Sequence, residues 1–194
     1  MITLKKEDGP ADLDGVTHLS IGVSWDPTAG SSGGLMGKIR QKKGTDLDLI
    51  AIAMADGDPV RLAGLDSLDP LGNGSLQHSG DNQTGRGDGD DETVTVDFAR
   101  IPQNITSIVF IAAAYKKRSS FQDARNISFK VYDATGGSSQ QVADIWPSLL
   151  TNDNGCAVAK AMRVGGGWKL QVINETGKIK QGDEQALMRF AVSK

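Results

Sequence analysis

The chain has 194 residues, of which 38% are hydrophobic and 23% are charged, and its formal net charge is −3. This length and composition are typical of a globular protein with one sizeable core, and we predict a single domain over residues 1–194. The acidic balance argues against nucleic-acid binding, because general nucleic-acid binders are usually basic.

No targeting or membrane signal is predicted. Residues 1–8 lack the apolar segment of a signal peptide, and no run reaches the roughly 18 apolar residues that a membrane span requires. The single cysteine, Cys156, cannot form an internal disulfide, which suits a reducing compartment. We therefore predict a cytoplasmic protein.

Alternation of apolar and polar residues predicts the first long strand, and a mostly apolar run predicts the second. Residues 19–25 alternate with the period of a half-buried strand. Residues 46–54 become apolar on both faces, as expected for a strand that is covered on both sides. Between them, residues 29–44 are rich in glycine and serine and carry the basic residues Lys38, Arg40, Lys42 and Lys43. We predict a solvated insertion there, with a weak contact to a membrane surface or an acidic partner as the alternative.

Further strands are predicted in the second half of the chain, where helix is scarce. They cover residues 93–98, 108–115, 127–132, 156–164 and 168–173, and three consecutive glycines indicate a hairpin between the last two. Residues 56–59 and 72–74 are predicted turns, residues 62–71 are predicted to be irregular, and residues 116–126 are predicted to be a polar connector with a helical turn. Asp183 can cap a short C-terminal helix, with a last strand as the alternative. The pattern favours a mainly β, two-sheet β-sandwich over a βαβ architecture.

Residues 81–92, which we call the acidic segment, combine five carboxylates with three alternating glycines and contain no hydrophobic side chain. Five like charges this close together repel one another unless a cation compensates them. Oxygen-only ligands are what calcium prefers, and glycines can turn backbone carbonyls inward as further ligands. We predict a calcium loop, with a solvated acidic turn as the alternative.

Two more carboxylates, Asp46 and Asp48, begin the second predicted strand. They are two residues apart, so they project to the same face, about 7 Å from each other. That face continues into apolar residues, and carboxylates beside a core-facing row are costly unless they are paired or bind a metal. We predict that both are partners of the acidic segment. An exposed strand start without a ligand role is the alternative.

Other kinds of site fit these residues poorly. The acidic segment has the length of an EF-hand loop, but Arg86 stands where that loop needs glycine, and the flanks resemble strands instead of helices. Asp88 and its acidic neighbours would repel a phosphate. His18 and His78 are the only histidines, and neither lies in a recognisable nucleophile context. We interpret His78 as a residue that packs against the acidic segment, and we predict no catalytic residue.

Several segments of the chain follow one another in an order that is typical of a known family. They are Gly22-Val23-Ser24-Trp25-Asp26, Asp46-Leu47-Asp48-Leu49 and the long segment from His78 to Glu92. The segment from Phe121 to Phe129 follows, and then Ala161-Met162-Arg163 ahead of Gly167-Trp168-Lys169-Leu170. Over roughly residues 16–192, the chain therefore resembles the TerD family of bacterial tellurium-resistance and stress-response proteins.

The resemblance implies a β-sandwich that binds calcium, with two ions in a negatively charged pocket, and no established enzymatic activity. Matching positions supply eight candidate ligands, which are Asp46, Asp48, Asp81, Asn82, Thr84, Asp90, Asp91 and Glu92. Asp26 is a further candidate. Asp88 stands where the family varies, and Lys116 stands where the family usually has aspartate.

The balance of charge also favours two ions. Asp46, Asp48 and the five acids of the acidic segment carry seven negative charges, which only Arg86 offsets. One Ca²⁺ leaves four charges uncompensated and two leave about two. We therefore predict a calcium-binding protein that acts as a binding or scaffold module, with other stress-response proteins as partners. The alternative is a metal-dependent enzyme that acts on a phosphorylated or anionic substrate held through the ions.

Overall fold

The protein is a two-sheet β-sandwich with one α-helix. The computed structural model describes residues 4, 6–27, 46–64, 66–83, 85, 89–114, 119–145 and 152–194. The strands in this part of the chain are β1 Ala11–Asp12, β2 His18–Pro27, β3 Leu47–Ala55, β4 Asp58–Ala63, β5 Leu76–His78, β6 Glu92–Asp97, β7 Ser107–Ala114, β8 Ala124–Asp133, β9 Gln140–Ile145, β10 Gly155–Val164 and β11 Gly167–Gly177. The helix α1 spans Glu184–Val192, and short 3-10 helices cover Lys6–Asp8, Phe121–Asp123 and Thr135–Gly137. The predicted mainly β sandwich is confirmed.

Both sheets are antiparallel and face each other across the main core. One sheet has the strand order β1-β11-β10-β7-β3-β4, and the other has the order β5-β6-β2-β8-β9. Successive side chains of a strand point to opposite faces, so every second residue enters the space between the sheets. Val23 of β2 and Phe129 of β8 meet Leu49 of β3 and Phe110 of β7 there, all completely buried.

The outer face of the six-stranded sheet is covered as well. Ile50 and Ile52 of β3 pack in a second cluster with Leu187 of α1, which explains why β3 is buried along almost its whole length, as its apolar run predicts. Asp183 caps α1, because its Oδ1 accepts a hydrogen bond from the backbone N–H of Ala186 at 3.1 Å. The C-terminus is therefore helical. No helix in the described part of the chain is long and apolar enough to span a membrane.

Four strands, β1, β4, β5 and β9, are not predicted by the sequence pattern. The predicted turn is present at Asp56 and Gly57, but the prediction of no strand directly after it is wrong for β4. Asp56 and Gly57 both have positive φ, 50° and 93°, and this tight turn sends residues 58–63 back along β3 as an edge strand. An edge position tolerates Pro59, because the missing N–H does not interrupt a ladder. β1 and β5 are only two and three residues long, which is too short to show a period.

The candidate site lies where several strand ends meet. β3 begins at Leu47 and β6 begins at Glu92, while β5 ends at His78. β5 and β2 both pair with β6, and Val23, near the end of β2, lies opposite Glu92. The acidic segment therefore leaves β5 and enters β6 at the edge of the sandwich where β3 starts.

Candidate metal centre

Three carboxylates from two separate segments lie together at this edge. Asp46 and Asp48 flank Leu47 at the start of β3, and Asp81 belongs to the acidic segment. One carboxylate oxygen of each lies within 4.8 Å of the other two. Asp48 is 3% exposed, Asp46 is half-buried, and Asp81 is exposed. The structure thus brings the start of β3 and the acidic segment together.

Glu92, the first residue of β6, is completely buried and ties the acidic segment to β3. Its Oε1 accepts a hydrogen bond from the backbone N–H of Asn82 at 3.1 Å, and its Oε2 accepts one from Leu49 at 2.8 Å. The pairing of β4 with β3 starts only at Ala51, so Leu49 lies beyond the end of that neighbouring strand. His78 Nε2 lies 3.3 Å from the same Oε2. The Glu92 side chain therefore accepts the Leu49 hydrogen bond that a neighbouring strand would otherwise accept.

Asp91 holds the acidic segment to β2. Its backbone N–H donates to the carbonyl oxygen of Val23 at 2.8 Å, and its Oδ2 accepts from the backbone N–H of Trp25 at 3.0 Å. The ladder between β6 and β2 ends at Val23, so the carboxylate extends that ladder by one residue. Asp91 Oδ1 also accepts from the side-chain amide of Asn82 at 2.9 Å. This hydrogen bond fixes the two ends of the acidic segment against each other.

Negative charge accumulates around Asp91. Burial raises the pKa of this carboxyl group, a backbone hydrogen bond opposes the shift, and the charges of Asp90, Glu92 and Asp26 raise the pKa further. Asp26 itself is exposed, and its Oδ2 accepts from the side-chain amide of Asn126 at 2.6 Å. A bound cation would offset the repulsion among these carboxylates.

Asp90 lies on the outer face of the five-stranded sheet. Its Oδ1 is 3.1 Å from Lys130 Nζ, and its Oδ2 accepts a hydrogen bond from the Tyr132 hydroxyl at 2.6 Å. Both partners lie on β8 and alternate with inward-facing core residues. The carboxylate packs onto Gly22 of β2, where an added Cβ atom would overlap it. Burial and the hydrogen bond to Asp90 raise the pKa of Tyr132.

The structure describes some of the remaining predicted residues and not others. Asn82 bonds to Asp91 and Glu92 as above. Gly85, at a φ of 55°, lies so close to Trp25 that a Cβ atom there would be 2.8 Å from the Trp25 backbone oxygen, so the turn needs glycine. Outside the described residues lie Thr84, Arg86, Asp88 and Lys116, and also the four basic residues Lys38, Arg40, Lys42 and Lys43.

The donor set of the three-carboxylate group suits a hard cation. Asp46, Asp48 and Asp81 offer only oxygen, which calcium and magnesium prefer and which copper and zinc sites seldom use alone. An ion that binds oxygens at roughly 2.3–2.6 Å can contact two oxygens up to about 5 Å apart. The separations of at most 4.8 Å meet that requirement. The residues present therefore fit calcium.

The comparisons with known proteins agree with this fold and composition. A family model described as the TerD domain matches residues 2–181. The chain belongs to the TerD family. It is 30% identical to the tellurium resistance protein TerZ of Serratia marcescens, over 86% of the chain and 81% of that protein. It is 32% identical to TerX of the same organism, over 90% of the chain and 88% of that protein. The stress response protein SCP2 of Bacillus subtilis is 28% identical, over 83% of each.

Solved structures show the same TerD fold. The structure of a homologue of telluride resistance protein (TerD) from Streptomyces coelicolor A3(2) superposes with a TM-score of 0.66 at 20% identity, over 91% of this chain and 96% of that one. A second crystal structure, of a protein described as having unknown function, gives a TM-score of 0.69 at 18% identity, over 91% and 98%. At these identities the likeness shows the fold alone.

Sequence reasoning missed three contacts of this TerD site. Lys130 and Tyr132 hold Asp90, yet they lie about forty residues from it in sequence. The Leu49 backbone N–H holds Glu92. The predicted packing of His78 against the acidic segment is present, with Nε2 3.3 Å from Glu92 Oε2. The one sequence signal available is the placement of Lys130 and Tyr132 on the outward positions of a predicted strand. Nothing in the sequence indicates which acid these two side chains meet.

Proposed function

We propose that this TerD-family chain is a calcium-binding protein of the tellurium-resistance and stress-response type. The observation that carries the proposal is the group formed by Asp46, Asp48 and Asp81, whose carboxylate oxygens lie within 4.8 Å of one another. Three like charges at such separations repel, most strongly where Asp48 is shielded from water. A divalent cation converts that repulsion into attraction, so calcium would bind the folded chain and stabilise it.

Calcium would be held by side chains from two different parts of the chain. Asp46 and Asp48 would bind from the six-stranded sheet, and Asp81 from the acidic segment. Calcium takes 6–8 oxygen ligands, so backbone carbonyls and water would complete the shell. In the proposed role, the ion supplies a cross-link and charge neutralisation, and the protein's residues hold the two segments at the spacing that it needs.

The number of ions is part of the proposal. Within the residues that the structure describes, Asp46, Asp48 and Asp81 are the one group of three acidic, cysteine or histidine side chains close enough to share an ion. We assign one ion to this group. The second ion, which the charge of the acidic segment favours, stays a prediction for calorimetry to decide.

The names of the relatives support the proposed biological role. TerZ and TerX are named for tellurium resistance, and SCP2 is named for stress response. We propose that the chain acts in the cytoplasm as a binding or scaffold module whose partners are other stress-response proteins. Calcium would order the acidic segment against β3 and so stabilise the surface that these partners contact.

Isothermal titration calorimetry of the metal-free protein tests the proposal directly. We expect heat of calcium binding and a rise in melting temperature that EDTA reverses. Asp81→Asn should weaken binding roughly tenfold or more, since it removes a charged ligand. Asp66→Asn, which neutralises another acidic residue on an exposed turn outside the group, serves as the control with the same change in charge. Absence of calcium heat together with an unchanged melting curve would refute the proposed function.

A further inference from the structure

The three consecutive acids at the end of the acidic segment contact three different parts of the fold. Asp90 contacts β8 on the outer face of the five-stranded sheet. Asp91 contacts β2. Glu92 contacts the start of β3 in the opposite sheet. Asp90 and Glu92 thus accept hydrogen bonds from opposite sheets.

Asp90 is held by a cation and a hydroxyl. Lys130 Nζ lies 3.1 Å from one oxygen, and the Tyr132 hydroxyl donates to the other at 2.6 Å. The Asp90 side chain is 8% exposed and packs onto Gly22, which has no side chain to exclude it. A hydrogen bond to a charged group is among the stronger ones in proteins, and here two of them act on one carboxylate. These contacts fix Asp90 on β8, and Asp90 is not part of the described group of carboxylates that lie within 4.8 Å of one another.

Glu92 is held by two backbone donors, and the His78 ring lies beside it. Two backbone N–H groups, from Asn82 and Leu49, occupy its two oxygens at 3.1 and 2.8 Å. His78 Nδ1 accepts a hydrogen bond from the backbone N–H of Gly80 at 2.9 Å, so the ring proton of the neutral imidazole is on Nε2. Nε2 lies 3.3 Å from Glu92 Oε2 as a close polar contact, and neither side chain is exposed to solvent.

We infer that Asp90 and Glu92 are positioning residues: they anchor the acidic segment, one to each sheet, and are not ligands of the ion. The inference rests on the proposed function and divides the acidic residues of the site into ligands and anchors. Asp46, Asp48 and Asp81 contact the ion, while Asp90 and Glu92 fix where Asp81 lies relative to β3. Because the anchors set the spacing, the donors that hold them contribute to calcium affinity without touching the ion.

The Tyr132→Phe variant separates an anchor from a ligand, because it removes one hydroxyl and leaves Asp90 intact. If Asp90 is an anchor, the variant binds calcium roughly three- to tenfold more weakly, with the number of ions unchanged. If Asp90 is a ligand, its oxygen loses a competitor, and the affinity stays the same or increases. That result would overturn the inference for Asp90. Ser24→Ala is the matched control, since it removes a hydroxyl that pairs with Ser128 on the same sheet and does not contact Asp90.

A pair of substitutions at His78 tests Glu92 in the same way. Glutamine can place an amide N–H near the position of Nε2, whereas methionine fills similar space without a donor. We expect His78→Met to lower calcium affinity roughly tenfold and His78→Gln to restore most of it. Equal affinities for the two variants, or tighter binding by His78→Met, would show that the donor does not position Glu92 for binding.

A second measurement keeps the inference apart from the proposed function. Hydrogen exchange of the metal-free protein reports on the anchors whether or not calcium binds. We expect the Asn82 and Asp91 amides to exchange at least severalfold faster in Tyr132→Phe than in Ser24→Ala. If the wild type binds no calcium but this difference is found, the proposed function fails and the anchors stand. If exchange is the same in both variants, Asp90 is not an anchor, whatever the calcium titration gives.

Discussion

Replacing Asp48 by asparagine should raise the stability of the metal-free protein and abolish most of its response to calcium. Asp48 is 3% exposed, and oxygens of Asp46 and Asp81 lie within 4.8 Å of its own. At an effective dielectric constant of about 20, two unit charges about 5 Å apart repel by roughly 3 kcal/mol. Asp81 is exposed, so solvent screening removes much of its share. We therefore expect the substitution to relieve about 1–3 kcal/mol in total.

Differential scanning calorimetry in EDTA and in calcium measures both effects. One kcal/mol corresponds to roughly 2–4 °C for a chain of this size, so the metal-free variant should melt roughly 2–12 °C above the wild type. At free calcium a hundredfold above the dissociation constant, the wild type should gain about 2.7 kcal/mol, and the variant much less. The control Asp66→Asn should leave the calcium response unchanged. A metal-free Asp48→Asn protein that melts below the wild type would refute the reasoning, because the carboxylate would then be stabilised by the protein alone.

Three further substitutions test the packing around the site and beyond it. Gly22→Ala should lower the free energy of unfolding by roughly 1–3 kcal/mol, because its Cβ atom would overlap Asp90. The control Gly167→Ala should be tolerated, because the nearest neighbouring atom would be 3.8 Å from the added Cβ atom. Equal melting temperatures of the two variants would contradict this reasoning. Asn154→Ala should lower the free energy of unfolding measured in urea by roughly 2–4 kcal/mol. The buried Asn154 amide donates to the Ile179 carbonyl and accepts from the Ile179 N–H, both at 2.8 Å. A loss below about 1 kcal/mol would show that these two hydrogen bonds do not stabilise the fold. Hydrogen bonds from Lys6 and Lys194 lower the pKa of Glu175 from 4.5 to about 2, so the stabilisation is fully present above pH 4.5 and is lost as the pH falls toward 2. The difference in melting temperature between wild type and Glu175→Gln should therefore shrink over that range, and a difference independent of pH would contradict the assignment.

The sequence predicts those parts of the fold in which a local pattern decides the structure. β2 and β8 show the two-residue period because one face meets the core and the other does not. β3 is apolar on both faces because the second sheet covers one face and α1 covers the other. By contrast, β4 is an edge strand defined by its pairing with β3, and its own residues alternate too weakly to show it. Pairing between distant segments is the information that a local pattern lacks.

The candidate site was predictable to the same extent. The composition of residues 81–92 indicates oxygen ligands, and the two-residue spacing of Asp46 and Asp48 places both on one face. Their approach to Asp81 depends on β3 and β6 lying in opposite sheets at the same edge of the sandwich. The sequence alone does not contain that distance. The prediction of a shared site came from chemistry, because the negative charges of two carboxylates beside a core-facing row and of an acidic loop each need a compensating positive charge.

The distinction between Asp90, Asp91 and Glu92 is what sequence reasoning could not make. As a run of consecutive acids, the three are equivalent in charge and in ligand chemistry, so each was a candidate ligand. The fold separates them through the donors that it supplies. Asp90 meets Lys130 and Tyr132, while Glu92 meets two backbone N–H groups and His78. Donors on the two sheets hold the Asp90 and Glu92 carboxylates in place, whereas the close approach of Asp46, Asp48 and Asp81 leaves repulsion that an ion would relieve. Acidic residues next to each other in sequence can therefore have different partners in the fold, and we propose that these partners separate the anchors from the ligands.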